Sequence, residues 1–399
     1  METLRETSRQ YIADTDMTFI RYALDKVRWD QRLTGITGAR GAGKSTLMLQ
    51  YLKANFSDSD KALYVSCDDL YFGNNTIVSL ANAFVKQGGT HLFLDEVHKY
   101  PGWSREIKNI YDRYKKLTVI FSGSSALNIY KSGADLSRRA LQFHLNSMSL
   151  REYIELFYGI QAPVISLEDI LLRSTKTAEK LMKTVDFPIR YLHEFYQTGS
   201  YPFARDDTKG YHRRLLSTIN QVVETDLPAL FNVDYTAVVA IRKLLAIMAG
   251  LVPFKPNITE LGREMGLSRE TIIRYIQYLS RAEIFASLYA ETKGLGLLSK
   301  PEKVYLQNPN LLFALADIRI PEKGTIRETF FMNQISALHT VNISPVSDFL
   351  VDGKYTFEIG GKSKKKTQIA GIRNAFVVQD DIEYGHTNVV PLWLFGFLY

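Results

Sequence analysis

The sequence predicts an α/β fold for the N-terminal part of the chain, a parallel sheet covered by helices, and three observations carry that expectation. The apolar run Leu33-Thr34-Gly35-Ile36-Thr37 leads directly into the glycine-rich stretch Gly38-Ala39-Arg40-Gly41-Ala42-Gly43-Lys44-Ser45. A second run, His91-Leu92-Phe93-Leu94, ends in the paired acids Asp95-Glu96, and a third, Leu117 to Phe121, ends in Ser122-Gly123-Ser124-Ser125. Strands buried on both faces of a parallel sheet read as continuous apolar runs, and ligands of open α/β sheets collect at the C-terminal ends of the strands.

The first run and its glycines have the full G-x-x-x-x-G-K-[ST] spacing of a phosphate-binding loop. Glycines let the backbone curl so that its N–H groups face a phosphate, and the following helix, expected from Thr46 to Ala54, points its positive end at the same charge. Residues Gly38, Ala39, Arg40, Gly41, Ala42, Gly43, Lys44, Ser45 and Thr46 are therefore the expected nucleotide-contacting stretch. Lys44 is expected to reach the β- and γ-phosphates, and the Ser45 hydroxyl to ligate magnesium. The expected cofactor set is ATP and Mg2+, with adenine over guanine implied only by the family resemblance carried by the further motifs below. A guanine-reading N-K-x-D run does not occur in the sequence, in agreement with adenine.

The second run supplies what such a loop needs from a neighbouring strand. Asp95 suits the magnesium shell and Glu96 is placed to orient an attacking water, which makes the expected reaction ATP hydrolysis to ADP and phosphate. Ser122, at the end of the third run, is the candidate sensor of the γ-phosphate. Ser124 and Ser125 read equally as helix-capping serines.

Composition sets the outer bounds. A chain of 399 residues is long for one domain, with ordinary apolar (46%) and charged (23%) content. A formal charge of +7 is compatible with a polyanionic partner and equally with a solvated basic surface. The lone Cys67 excludes an intramolecular disulfide framework and a multi-cysteine zinc site. The polar start Met1-Glu2-Thr3-Leu4-Arg5-Glu6 lacks the apolar core of a signal peptide, and Val238 to Phe254 is broken by Arg242 and Lys243. A cytoplasmic protein without a membrane anchor is the expectation.

Further motifs extend the pattern: Asp95-Glu96-Val97-His98-Lys99-Tyr100-Pro101-Gly102-Trp103, Leu136-Ser137-Arg138-Arg139-Ala140, Ser149-Leu150-Arg151-Glu152-Tyr153, Thr198-Gly199-Ser200-Tyr201-Pro202, Glu224-Thr225-Asp226-Leu227, Lys303 to Leu312 and Pro391 to Gly396. Together these resemble a widespread prokaryotic AAA+ ATPase family that pairs an AAA-type module with a C-terminal domain of unknown function. The resemblance implies that the third strand lies between the two strands carrying the glycine loop and the acids. It also implies an arginine finger at Arg139. Arg138 stands where the family has glycine, so two arginines compete for that role. Ser149 and Glu152 have the spacing of a capping box.

Three segments are expected: 1–190 as the ATPase domain, 191–322 as a helical region, and 323–399 as a small α/β domain. In the middle segment, Thr259 to Met265, the turn Gly266-Leu267-Ser268 and Arg269 to Arg281 resemble a winged helix-turn-helix. Ile272, Ile276 and Leu279 form the apolar face of its second helix, leaving Arg269, Arg274 and Gln277 outward as DNA-contacting types. DNA contact and a protein-binding or self-associating scaffold role both fit such an element. In the last segment Glu328, Asp348 and Glu358 resemble the core of PD-(D/E)xK nucleases. Gly360 stands at the lysine position, and the resemblance therefore implies a degenerate nuclease fold. The basic run Lys362, Lys364, Lys365 and Lys366 follows, readable as a nucleic-acid contact or a solvated loop.

Overall fold

The computed structural model describes residues 1–57, 59–124, 136, 138–290, 300–316, 321–364 and 367–399. The chain divides into two compact units. The first comprises Met1–Asn146 with Glu224–Val233, and the second comprises Ser147–Val223 with Asp234–Tyr399. These units divide the chain at points other than the sequence segments 1–190, 191–322 and 323–399. The capped helix Leu150–Tyr158 packs against the helix Pro188–Thr198 within the second unit, so the chain leaves the first sheet soon after its last strand.

In the first unit β1 (Leu33–Gly38), β2 (Ala62–Ser66), β3 (His91–Asp95), β4 (Thr118–Ser124) and β5 (Leu141–His144) form one sheet in the order β2-β3-β4-β1-β5. Every neighbouring pair in it is parallel. The strand of the serine run thus lies between the strand of the glycine loop and the strand of the acids. Leu63, Leu92, Leu94, Val119 and Phe121, all buried, make its interior with Phe84 and Ile107 from the helices Ile77–Lys86 and Trp103–Arg113. Fully burying side chains of this size contributes about 1.5–3 kcal/mol each. On the other face Trp29 stacks on Tyr51 at 4.1 Å between ring centroids.

Among the described residues the second unit holds two sheets. The helix Ile258–Met265 ends at Gly266, whose φ of +67° reverses the chain, and Ser268 caps the helix Arg269–Arg281. An antiparallel pair follows, β6 (Phe285–Leu288) with β7 (Lys303–Leu306). Arg269 and Arg274 are exposed and Gln277 is half-buried. The second sheet has the order β12-β11-β10-β9-β8, from β8 (Val341–Ile343), β9 (Phe349–Val351), β10 (Tyr355–Gly360), β11 (Ala375–Gln379) and β12 (Val389–Pro391). Its first three strands are antiparallel and its last three parallel. The helix Lys323–Ile335 lies against β10, and its Phe331 packs ring against ring on Phe349, Phe357 and Phe395. Among the described residues no helix is long and apolar enough to cross a membrane.

Candidate functional site

The glycine loop begins where β1 ends. Gly38, Gly41 and Gly43 have φ of +154°, +84° and +96°, a region that residues with a Cβ rarely adopt. A Cβ on Gly38 would also lie 2.4 Å from the Leu145 carbonyl oxygen. The loop passes into the helix Lys44–Phe56, which starts two residues before the expected Thr46. Lys44 Nζ donates to the carbonyls of Gly38 and Ala39, both at 2.9 Å. Ala39 and Ala42 are buried, Ser45 is half-buried and Thr46 is exposed. The loop is pinned from below by Arg21, itself buried, which donates to the Ala42 carbonyl at 2.5 Å and to the Asn146 carbonyl at 2.9 Å.

Asp95 ends β3, buried at 4% exposure. Its Oδ2 accepts from the Tyr64 hydroxyl of β2 at 2.5 Å, and its Oδ1 accepts from the Ser122 hydroxyl of β4 and from the Glu96 N–H at 3.1 Å. Two neighbouring strands therefore fix this carboxylate through neutral hydroxyls. Tyr64 also has a side-chain interaction with Ser45 of the loop helix. A half-buried serine hydroxyl, a buried carboxylate and a tyrosine that orients both form an oxygen-rich donor set of the kind hard divalent cations take. The residues present fit magnesium.

Glu96 follows with a φ of +52°, left-handed backbone in a residue that carries a Cβ. Such conformations cost of order 1 kcal/mol and concentrate at functional sites. Burial raises its carboxyl above the ordinary value; Arg40 opposes that shift, Asp95 adds to it, and Lys99 and Lys44 oppose it. The Ser122 hydroxyl accepts from the Glu96 N–H at 3.2 Å. Ser122 thus links the Asp95 carboxylate to the Glu96 main chain. Ser124 is buried at the end of β4, whereas Ser125 and Ser137 lie outside the described residues.

Arg138 is exposed. Arg139 is half-buried and grips Asp112 with two bonds, from Nε at 3.0 Å and from Nη2 at 3.2 Å. The capping box forms: Ser149 Oγ accepts from the Glu152 N–H, and Glu152 accepts from the Ser149 N–H, both at 3.2 Å.

Sequence reasoning missed Tyr64, Arg21 and the surroundings of Asp226. Tyr64 stands in the apolar run Ala62 to Val65, and a lone polar ring in a strand otherwise buried is the signal that could have found it. Asp226, from the returning segment of the first unit, is 1% exposed and contacts Arg40 of the glycine loop, Lys99 and His98.

The carboxylates of the second unit converge differently. Asp348 Oδ2 accepts from the Ile359 N–H at 2.8 Å, and burial, with Glu328 adding, raises its carboxyl to about 6. Glu328 is paired with Lys303 at 2.8 Å and accepts from the Tyr305 hydroxyl at 2.6 Å. Glu358 accepts from the Ser347 hydroxyl at 2.5 Å and is ion-paired with Lys364. A Cβ at Gly360 would lie 2.6 Å from the Lys364 side chain, so the missing side chain at that position is the space that lets Lys364 reach Glu358. Lys362 is exposed, and Lys365 and Lys366 lie outside the described residues. A third group, His193 with Asp380 and Asp381, is closed by Arg327, which bonds Asp380 at 2.9 Å and Asp381 at 3.1 Å.

Residues 30–154 match the family described as AAA domain, and residues 189–322 match a domain of unknown function, DUF8612. The first match spans both motif strands and the strand between them. The N-terminal unit has an AAA-type ATPase fold. An uncharacterized protein of Methanocaldococcus jannaschii, MJ1637, is 26% identical over 317 residues, 72% of this chain and 67% of that one. Among solved structures, a chain from a study of katanin self-assembly aligns at 16% identity and a TM-score of 0.26, over 42% of this chain and 60% of that chain. AMPPCP-bound DnaA from Aquifex aeolicus aligns at 16% identity and a TM-score of 0.26, over 65% and 84%.

Proposed function

We propose that the chain binds ATP with magnesium at the loop Gly38–Ser45 and hydrolyses it, and that hydrolysis serves to act on DNA or on a protein partner. The observation that carries this reading is the strand order β3-β4-β1. It gathers the glycine loop, the acids and Ser122 at one edge of a parallel sheet, where open α/β sheets hold their ligands. In this reading Lys44 neutralises phosphate charge, and Ser45 and Asp95 hold the metal. The metal supplies charge neutralisation on the phosphates. Glu96, its carboxyl raised by burial, orients water, and Ser122 holds the Asp95 carboxylate and the Glu96 N–H while facing the γ-phosphate. Gly38 to Thr46 supply the backbone of the cradle. A role for Arg139 as arginine finger adds one requirement, release from Asp112.

A slow nucleotide-gated switch is the second reading, and the engagement of Arg139 by Asp112 favours it, because a turnover-promoting cation would have to change partners. For DNA contact the exposed Arg269 and Arg274 of the helix-turn-helix are the residues proposed. The C-terminal sheet is proposed as a degenerate nuclease-like domain, since Glu328 and Glu358 are already matched by lysines.

The test is steady-state phosphate release with ATP and magnesium, with and without duplex DNA, beside Lys44→Ala and Glu96→Gln. Turnover lost in both variants upholds hydrolysis, and stimulation by DNA upholds the DNA-directed reading. Binding without turnover in wild type transfers the case to the switch.

A further inference from the structure

The motif Glu224-Thr225-Asp226-Leu227 has no role in hydrolysis as described above, yet it returns to the nucleotide site. Residues 224–233 belong to the first unit, although the chain on either side, up to Val223 and from Asp234, belongs to the second. The short helix Leu227–Phe231 packs on the turn Val97–Lys99 that follows the acids of β3, and Leu230 lies against the core of the first sheet.

Asp226 is the polar centre of that contact. Its carboxylate is 1% exposed and therefore depends on its neighbours for compensation. Arg40 Nη1 reaches both of its oxygens, at 3.4 and 3.3 Å, and Lys99 Nζ is 3.8 Å away. His98 Nε2 lies at 3.9 Å, but burial pushes the imidazole down to about 4, so it brings no charge at neutral pH. The compensation therefore comes from two cations, one inside the glycine loop and one three residues beyond Glu96. Both also act on Glu96, where Arg40, Lys99 and Lys44 oppose the rise caused by burial. The Arg40 contact is long, since charge-assisted N–H···O bonds close to about 2.7–2.9 Å when nothing holds them apart. A guanidinium in a phosphate-binding loop has a stronger attractor available, because a terminal phosphate offers more charge than one carboxylate.

We propose that Asp226 and the terminal phosphate of bound ATP compete for Arg40, so that nucleotide binding loosens the segment Glu224–Val233 and the docked segment weakens nucleotide binding. The proposal rests on nucleotide binding at the glycine loop. Linkage makes the two effects reciprocal: whatever affinity the segment takes from ATP, ATP takes from the segment. Asp226 is a positioning residue, acting through Arg40. Since the segment is joined at both ends to chain of the second unit, its release is a covalent route by which phosphate occupancy reaches the rest of the protein.

The experiment uses the full chain and the non-hydrolysable analogue AMP-PNP with magnesium. Calorimetry compares wild type, Asp226→Asn, Arg40→Gln and the double variant, while amide hydrogen exchange follows residues 224–233 in wild type with and without the analogue. The expected results are tighter binding by Asp226→Asn, by about fivefold, no such gain on the Arg40→Gln background, and faster exchange in 224–233 when the analogue binds. A purely structural role for Asp226 gives weaker or equal binding, and that result overturns the proposal. Unchanged or slower exchange in the segment overturns it as well. If Asp226→Asn does not fold, the wild-type exchange decides alone. Should wild type bind no analogue at all, the nucleotide-site reading fails and the competition falls with it; binding without coupling sinks the competition only.

Discussion

Two sets of acids gather in this molecule, one at the end of β3 and one between the helix Lys323–Ile335 and β10, and they are held by opposite chemistry. In the first unit Asp95 is fixed by the hydroxyls of Tyr64 and Ser122, neutral donors that orient a carboxylate without cancelling its charge. In the second unit Glu328 and Glu358 are each closed by a lysine, Lys303 and Lys364. A hydroxyl-held acid keeps its charge for a cation that arrives, whereas a lysine-held acid has already been neutralised from within the fold. The clustering of acids therefore does not by itself distinguish a metal site from a structural ion-pair cluster; the partners do.

The largest effects expected are at the loop. Lys44→Ala should lower phosphate release by more than about 100-fold, the scale of removing a group that stabilises transition-state charge. Glu96→Gln should lower turnover comparably while retaining bound ATP, a separation that filter binding beside phosphate release will show. Equal loss of binding in Glu96→Gln would break the contrast between the two acids of the pair.

Tyr64→Phe sharpens the comparison, because it removes one orienting hydroxyl and leaves the acid in place. The magnesium concentration for half-maximal phosphate release should rise about tenfold, the usual consequence of losing a group that orients a metal ligand. A shift below twofold would mean that Tyr64 serves packing alone.

The C-terminal acids give a stability signal. Asp348 has its folded pKa raised from 3.8 to about 6, so the folded state binds the proton more tightly than the unfolded chain. Stability then falls as pH rises from about 4 through about 6, and the penalty is fully present above that window. Asp348→Asn should accordingly stabilise the protein by about 1–3 kcal/mol at pH 8 and by little near pH 4, measured by urea unfolding. The asparagine oxygen still accepts from Ile359, so loss of that bond does not mask the result. A pH-independent change would contradict the assignment.

The smallest effect is expected at Arg139. Its bond to Asp112 joins side chains that are 25% and 43% exposed, and such pairs contribute at most about 1 kcal/mol. Arg139→Ala should shift the urea midpoint slightly and turnover by less than about threefold. A loss of about 1000-fold would instead establish it as the finger.

Much of the first unit was legible because its signals are contiguous. A phosphate loop needs its glycines, lysine and serine within one turn of chain, and the acids close a single strand, so eight residues and two residues respectively carry the motif. The place of β4 between β3 and β1 was expected from family resemblance and is what the sheet shows. The boundary between the helices Ile258–Met265 and Arg269–Arg281 was readable for the same local reason, since Gly266 ends the first and Ser268 begins the second. The Gly360 position was legible as a missing lysine, but not as room for another: Lys364 arrives from beyond the strand.

By itself, then, the sequence determined the elements whose information lies within a few residues: the glycine loop, the acid pair, the caps and the alternation of strand and helix. Only the tertiary structure decided who holds those groups. Tyr64 meets Asp95 across 31 residues and Arg40 meets Asp226 across 186. Such contacts are fixed by the sheet order and by the returning segment, through burial that forces each charged group to find a partner in space. Chain neighbours set backbone geometry; the packed interior sets charge.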